Sequence, residues 1–345
     1  MTEVVRPIYV HVPMPGSRTS CCGSSGAGWK PATWHAVPSL REERFAMIYD
    51  FVKIHGAGND FVFIEDLGDE VTLAPEQIAR LCDRHFGIGA DGVILVKPAT
   101  VVGCDASMCY YNSDGTTAQM CGNGVRCFAK YLVDRGIVDA SRGYVDVQTL
   151  AGPKHIEFEL DDAGKLVLAS VDMGRPILEP GLVPTTLGAG DDDAVVEQEL
   201  DTSVGTFQVS CVSMGNPHCV IFMPDRGFFD DPDSFEISRI GSSIETDAAF
   251  PEKCNVEFAF VAGDGGGIHS PEILMRVWER GCGETFACGT GACATGVAAF
   301  LSGRSGRVND LHLRGGTLHI VYREDGEVIM TGPAEESFIG KVEVI

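Results

Sequence analysis

Positive charge is scarce in this sequence. Its 345 residues include 26 lysines and arginines against 49 aspartates and glutamates, so the formal net charge is −23. Nucleic acids and anionic membrane surfaces are bound through basic footprints, and this balance argues against both as partners. The chain also lacks an apolar run of the roughly eighteen residues that span a bilayer. We therefore expect no nucleic acid and no membrane among its partners.

Motifs for metals and nucleotide cofactors are missing as well. The chain contains no Cys-x-x-Cys pair, no P-loop, and no Gly-rich dinucleotide fingerprint between a strand and a helix. No lysine stands in a context that singles out a pyridoxal phosphate site. We therefore predict that the protein uses no metal and no cofactor.

Cysteine, by contrast, is plentiful, with 13 residues. The number is odd, and the chain begins without the apolar segment of a secretory signal. A reducing intracellular compartment fits this pattern better than a disulfide framework. The predicted location is cytoplasmic.

Residues 1–46 differ in composition from the rest of the chain. They are rich in Pro, Ser and Gly, show no periodicity, and carry five basic residues against three glutamates. This composition is that of a transit peptide, which would make the location plastid instead. A disordered extension, or a true start near Met47, remains the alternative. We treat residues 1–46 as an N-terminal extension.

Two Cys-Gly-x-Gly motifs organise the remaining sequence. They begin at Cys121 and at Cys288, and each is followed by apolar residues with helical spacing. We therefore predict that each cysteine lies at the N-terminus of a core-facing helix. The free N–H groups and the dipole of a helix start favour a thiolate there, and they also offer a place for a carboxylate.

Short strands predominate between these motifs. The pattern predicts a hairpin over residues 52–65, a helix over 73–85 with Thr72 as its N-cap, and one dominant helix in each half of the chain. This indicates an α+β fold of two similar, pseudo-symmetric domains, each a mostly antiparallel sheet around a central helix. The expected domains are residues 47–165 and 166–333, with the active site in the cleft between them.

Two thiols on opposite sides of a cleft suggest one class of reaction. A thiolate can remove a proton from carbon while a thiol delivers a proton to the opposite face, provided that both groups titrate near the working pH. Backbone N–H groups of Gly-rich turns can hold a carboxylate next to the developing carbanion. The pattern therefore predicts inversion at an α-carbon that carries a carboxylate, with a small molecule as the substrate.

Four motifs together resemble the diaminopimelate epimerase family. They are KIHGAGNDF at 53–61, NSDGTTAQMCGNG at 112–124, GNPHC at 215–219 and ERGCGETFACGTGA at 279–292. Related two-cysteine racemases carry His after Cys-Gly, where this chain has Asn123. The resemblance covers about residues 52–340 and implies a cofactor-independent epimerase that interconverts LL- and meso-diaminopimelate in lysine biosynthesis. It also implies that residues 334–345 return to the first domain.

The resemblance assigns roles to individual residues. It implies that Cys121 and Cys288 are the two bases, and that His218 and Glu279 position them or help to deprotonate them. The substrate contacts that it implies are Asn59, Asn112, Gly122, Asn123, Asn216, Asn255, Glu279, Arg280, Gly289 and Thr290. A guanidinium pairs well with a carboxylate, so Arg280 suits the far end of the substrate.

Two positions depart from the family pattern. Gly92 stands where some members carry a substrate-contacting Gln, and Cys282 adds a third thiol near the site. The alternatives that remain open are a racemase for another amino acid, a thiol redox or metal-binding protein, and a silent amino-acid-binding protein. The assembly is also open, with a homodimer as one alternative.

Overall fold

A computed structural model of the chain describes residues 8–11, 47–188, 194–263 and 271–344. The strands of this part are β1 Ile8–His11, β2 Met47–Gly56, β3 Asn59–Glu65, β4 Gly92–Lys97, β5 Ala106–Asn112, β6 Thr117–Ala118, β7 Tyr144–Thr149, β8 Gly152–Leu160, β9 Leu166–Asp172, β10 Gln198–Thr202, β11 Gly205–Ser213, β12 Pro217–Phe222, β13 Asn255–Ala262, β14 Glu272–Glu279, β15 Gly283–Thr285, β16 Val308–Leu313, β17 Gly316–Tyr322, β18 Val328–Pro333 and β19 Glu335–Val344. The α-helices are α1 Pro75–Cys82, α2 Gly122–Asp134, α3 Gly227–Asp230, α4 Ile237–Glu245 and α5 Gly289–Leu301.

The strand pairing repeats itself along the chain. In the first repeat β2 runs antiparallel to β3, β3 parallel to β4, β4 antiparallel to β5, β5 parallel to β7, and β7, β8 and β9 follow as antiparallel neighbours. The second repeat has the same order from β11 to β18. An antiparallel pairing of β9 with β18 joins the repeats. The predicted α+β fold of two similar halves is confirmed.

Each repeat encloses one long apolar helix. Helix α2 and helix α5 each have 13 residues, and most of their side chains are buried. One hydrophobic cluster contains residues of both helices, including Val125 and Phe128 from α2 and Val297 and Ala298 from α5. The two predicted core-facing helices are therefore present and share a core.

Two details of the predicted elements are wrong. Helix α1 is shorter than residues 73–85, and its N-cap is Ala74 instead of Thr72 because Pro75 takes the first helical position. It ends at Cys82 because the next residue, Asp83, is extended and accepts hydrogen bonds from the N–H groups of His85 and Phe86. The second detail is helix α4, which the sequence reading did not predict.

The last strand returns to the first repeat. The last strand, β19, pairs antiparallel with β2, and the short β1 pairs in parallel with the other edge of β19. The rest of the predicted extension lies outside the described residues. The boundary between residues 165 and 166 stays a prediction, because β9 pairs with β8 on one side and with β18 on the other. In the described part, no helix has both the length and the apolarity to cross a membrane.

Candidate active site

The N-termini of α2 and α5 lie against each other. The Asn123 side chain, in the first turn of α2, donates from Nδ2 to the carbonyl of Ala287, which directly precedes Cys288, at 3.4 Å. Met330 of β18 packs between the two helix starts. A Cβ built on Gly122 would lie 2.8 Å from the Met330 Cε, and a Cβ built on Gly289 would lie 3.1 Å from its Sδ. A side chain at either glycine would therefore require the end of Met330 to move.

Cys121 is the N-cap of α2. Its Sγ accepts a hydrogen bond from the Gly124 N–H at 3.4 Å and lies 3.5 Å from the Asn59 Oδ1. Burial raises the pKa of the Cys121 thiol to about 11, and the Glu279 carboxylate adds to the increase, whereas the N–H groups of Gly124 and Asn123 oppose it. The thiol form therefore predominates at neutral pH.

Cys288 holds the same position on α5. Its Sγ accepts from the Gly291 N–H at 3.4 Å and lies 3.4 Å from the Thr290 Oγ1. Burial raises the pKa of this thiol well above its usual value, and the carboxylates of Glu279 and Glu257 add to the increase. The N–H groups of the helix starts favour the thiolates as expected, but burial outweighs them and both groups are thiols in the substrate-free protein.

Glu279 lies at the end of β14, where its charge reaches both cysteines. The Thr285 hydroxyl donates to its Oε1 at 2.5 Å. Burial raises the pKa of the Glu279 carboxyl, while the hydrogen bond from Thr285, the charge of His218 and a hydrogen bond with Cys288 lower it. The carboxyl group is thus placed to exchange a proton with Cys288.

His218 is linked to Cys288 through other side chains. Its Nε2 lies 3.1 Å from the Asn216 Oδ1, the Asn216 Nδ2 donates to the Thr290 Oγ1 at 3.3 Å, and Thr290 contacts the Cys288 sulfur. The other ring nitrogen, Nδ1, lies 2.7 Å from the Oε1 of Glu257. His218 and Glu257 are both fully buried. The structure therefore connects three predicted site residues, His218, Asn216 and Thr290, in one chain of hydrogen bonds.

Asn59 is the corresponding amide of the first repeat. Its Nδ2 donates to the Asp91 Oδ2 at 2.6 Å, so its Oδ1 faces Cys121, and it also accepts from the Asn123 Nδ2 at 3.3 Å. Arg126, which is fully buried in α2, donates to the Asn123 Oδ1 at 2.8 Å and so sets the orientation of that amide. Asp91 and Arg126 thus fix the amides on either side of Cys121.

Three further predicted contacts lie at the strand ends around this centre. Asn112 is half-buried at the end of β5, and its Nδ2 donates to the Thr116 hydroxyl at 3.0 Å. Asn255 is buried and spans three strands: its Nδ2 donates to the Pro217 carbonyl at 2.9 Å, and its Oδ1 accepts from the Arg280 N–H at 2.9 Å. The Arg280 side chain is exposed and donates to the Glu252 carbonyl at 3.0 Å. Asn255 therefore serves first to hold the Arg280 backbone.

The two departures from the family pattern have different surroundings. A Cβ built on Gly92 would lie 2.4 Å from the Tyr111 carbonyl oxygen, so this backbone excludes any side chain there. Cys282 is exposed in the turn between β14 and β15, and its backbone N–H donates to the Glu279 carbonyl at 3.0 Å. Cys282 is therefore a thiol that solvent reaches at the rim of the site.

Sequence reasoning missed Glu257, Arg126 and Asp91. Glu257 and Arg126 stand inside a strand and a helix that read as apolar, and Asp91 stands in a Gly-rich loop. A charged residue in an otherwise buried run was the available signal, because such residues are buried only when they are paired. Among the described residues, no group of three or more His, Cys, Asp or Glu side chains is arranged to hold a metal ion.

Comparison with known proteins agrees with the division of the chain into two repeats. The family model for diaminopimelate epimerase matches residues 51–179 and 210–336, which correspond to the two repeats. The chain is 43% identical over 298 residues to the diaminopimelate epimerase of Leptospira biflexa, covering 86% of this chain and 100% of the relative. It is 42% identical over 321 residues to the chloroplastic diaminopimelate epimerase of Oryza sativa subsp. japonica, covering 92% and 87%.

A solved structure has the same fold at low identity. The hydroxyproline epimerase of Agrobacterium vitis superposes with a TM-score of 0.61 at 13% identity, covering 86% of this chain and 92% of the other. The family match over both repeats, together with relatives that are more than 40% identical along most of the chain, decides the classification. The chain belongs to the diaminopimelate epimerase family and is an isomerase.

Proposed function

We propose that the protein interconverts LL- and meso-2,6-diaminopimelate by a two-base proton transfer, and that it acts in lysine biosynthesis. One observation carries the proposal: Cys121 and Cys288 cap two helices whose N-termini lie against each other, at equivalent positions of the two repeats. A carbon bound between these caps has one sulfur on each face.

The reaction needs one proton removed and one proton delivered. The thiolate of one cysteine takes the α-proton, and the thiol of the other gives its proton to the opposite face of the carbanion. The substrate carboxylate next to the reacting carbon binds the free N–H groups of the first turns, at Gly122, Asn123, Gly289 and Thr290. After each turnover the two sulfurs have exchanged protonation states, so the enzyme is ready for the opposite isomer.

Glu279 supplies the missing base for this cycle. Both cysteines are thiols in the free protein, so one of them must lose a proton before catalysis. The charge of the Glu279 carboxyl acts on both sulfurs, and burial raises its pKa, which helps it to take that proton and pass it on to solvent. The exposed guanidinium of Arg280 and the Asn112 amide would hold the distal carboxylate and ammonium of the substrate.

Proton NMR in D2O tests the proposal. The reduced protein with LL-diaminopimelate is expected to lose the substrate α-proton signal while the meso isomer accumulates. Cys121→Ala and Cys288→Ala should each lose inversion, because each variant keeps only one of the two bases. Cys282→Ala, which removes a thiol from the rim of the same site, is the control and should retain parental activity.

The alternative functions predict different results in this experiment. Exchange with another amino acid, but not with diaminopimelate, would indicate a racemase of different specificity. Inversion by either alanine variant would contradict the two-base assignment. Activity that depends on an added metal, or on a Cys121–Cys288 disulfide, would favour the redox or metal-binding alternative.

The proposal also covers the cellular compartment of the protein. The rice relative is named a chloroplastic diaminopimelate epimerase, and its alignment covers 92% of this chain. Residues 47–345 alone make up a smaller share of the chain than that. The alignment therefore reaches into residues 1–46 and favours the plastid alternative over the cytoplasm. A fluorescent protein fused to the C-terminal side of residues 1–46 should enter plastids of a plant cell. A diffuse cytoplasmic signal would favour the predicted cytoplasmic location.

A further inference from the structure

Glu257 is a fully buried carboxylate that the proposed reaction does not use. It lies on β13 next to His218 on the parallel strand β12, and its Oε1 is 2.7 Å from the His218 Nδ1. The same oxygen packs against the first turn of α5, since a Cβ built on Gly291 would lie only 2.6 Å from it. A buried carboxylate is costly unless a donor or a positive charge compensates it. His218 is the group that faces it.

The hydrogen-bond chain determines which atoms carry protons. The Asn216 Nδ2 donates to the Thr290 hydroxyl oxygen, so the amide oxygen faces the His218 Nε2. An amide oxygen only accepts, and so does an ionised carboxylate, so with Glu257 ionised both ring nitrogens of His218 carry a hydrogen. The Thr290 oxygen accepts from Asn216 and lies 3.4 Å from the Cys288 sulfur, so the hydroxyl hydrogen can point to that sulfur.

The first repeat lacks this arrangement. Phe61 follows Asn59 by two residues, as His218 follows Asn216, and the β3–β4 register pairs Phe61 with Gly92 as β12–β13 pairs His218 with Asn255. Two residues further along, Ile94 takes the place of Glu257. Two apolar side chains thus stand where the second repeat has an imidazole and a carboxylate.

The consequence is that different groups face the two sulfurs. In the first repeat the Asn59 amide donates to Asp91 and turns an acceptor, Oδ1, toward Cys121. In the second repeat the chain that starts at Glu257 ends at the Thr290 hydroxyl, a group that can donate to Cys288. Two cysteines with the same helix-cap geometry are therefore made inequivalent by the residues behind them.

We infer that Glu257 is a positioning residue that keeps His218 doubly protonated and thereby fixes the donor direction of the chain from His218 through Asn216 and Thr290 to Cys288. The inference rests on the proposed function for its catalytic meaning. The charged groups that act on His218 are Glu257 and Glu279 of β14, and the N-terminus of α5 faces Glu257.

Nitrogen NMR of the substrate-free protein tests the protonation directly. In protein labelled with ¹⁵N-histidine, the His218 signals, assigned by their loss in His218→Gln, should show both ring nitrogens protonated at pH 7.5. In Glu257→Gln one of the two nitrogens should lose its proton, because an amide cannot balance the imidazolium charge. Glu245→Gln makes the same change at another buried carboxyl of this repeat, which binds Trp278 instead, and should leave the His218 signals unchanged.

A kinetic readout separates positioning from folding. We expect kcat/KM of Glu257→Gln to fall about tenfold at pH 8, roughly the effect of losing one charge-assisted hydrogen bond. The ratio of variant to parent activity should rise as the pH is lowered to 6, because protons from solvent restore the imidazolium. A ratio that does not change with pH would overturn the inference, as would an unprotonated His218 nitrogen in the parent. The NMR measurement needs no substrate, so its outcome tests the inference independently of the proposed function.

Discussion

Cys121 and Cys288 illustrate how two opposing effects set the ionisation of one group. Each sulfur accepts an N–H bond at the start of a helix, which favours the thiolate, yet each is enclosed by apolar side chains and faces the carboxylate of Glu279. Burial is the larger effect for both thiols. Both groups are therefore thiols in the substrate-free protein, and the proposed reaction requires one of them to lose its proton.

The pH dependence of the reaction follows from the upward shift of the two cysteine pKa values. Because the pKa of Cys121 is about 11, the thiolate fraction grows about tenfold per pH unit below that value. We expect kcat/KM for diaminopimelate to rise steadily between pH 6.5 and 8.5, measured with the reduced enzyme. Cys282→Ala should follow the same curve. A plateau that begins below pH 7 would mean that a thiolate is already present in the free enzyme.

Arg280 provides a second test at the level of one side chain. Its backbone is held by Asn255, while its guanidinium is exposed and donates to the Glu252 carbonyl, so it is available to a substrate carboxylate. Arg280→Ala should raise KM at least about tenfold and change kcat much less, since the contact is remote from the reacting carbon. Arg280→Lys should lie between the two, because a lysine keeps the charge but not the bidentate geometry. An unchanged KM would contradict the assigned contact.

The sequence reveals the two cysteines but not the groups that control them. The Cys-Gly-x-Gly motif is local, so Cys121 and Cys288 can be recognised from neighbouring residues alone. Glu257 and Asp91 act on residues 39 and 32 positions away, and only the strand register brings each pair together. The partners of a buried charge depend on this long-range pairing, which residue spacing does not encode.

Helices α2 and α5 share a length and a cap, but their first turns face different neighbours. Their starts were predictable because glycine and apolar spacing coincide there. Helix α4 could also have been recognised from Ile237, Ile240 and Ile244, which repeat at helical spacing. The end of α1 was not predictable in the same way, because it depends on the extended backbone of Asp83.

The equivalent glycines of α2 and α5 allow a matched comparison. A Cβ at Gly291 would lie 2.6 Å from the Glu257 carboxylate, which is confined between β12 and the helix, whereas a Cβ at Gly124 would meet the flexible end of Met108 at 3.1 Å. Gly291→Ala should therefore lower kcat by more than tenfold, and Gly124→Ala by only a few fold. Circular dichroism should show both variants folded. Equal activity losses would mean that Glu257 can move without consequence.

At the scale of the whole molecule, one ladder of strands runs through both repeats and encloses many free thiols. Burial raises the pKa of Cys82 and of Cys293 to about 12, and it also raises that of Cys127. A thiol in the unfolded chain titrates near about 8.5. The folded state therefore retains protons that the unfolded state releases, and this contribution to stability is complete below pH 8 and is lost as the pH rises.

Alkaline unfolding measures the effect. Between about pH 9 and 11, each such thiol should lower the free energy of unfolding by about 1.4 kcal/mol per pH unit. Urea titrations under reducing conditions at pH 7.5, 9 and 9.5 should show a steep decline. Cys293→Ala removes one buried thiol and should make that slope shallower by one thiol's contribution, whatever it does to stability at pH 7.5. A slope that is the same in the variant would refute the assignment.

The pairing of β19 with β2 also has a consequence for the order in which the protein can be made. The first repeat is synthesised early, but the strand that covers the free edge of β2 consists of residues 335–344. In the second repeat the equivalent edge strand, β10, directly precedes its partner β11. During translation, therefore, the first repeat carries an open, pairing-competent edge until almost the whole chain has been made. The half that is translated last is the half whose own strands suffice to close it.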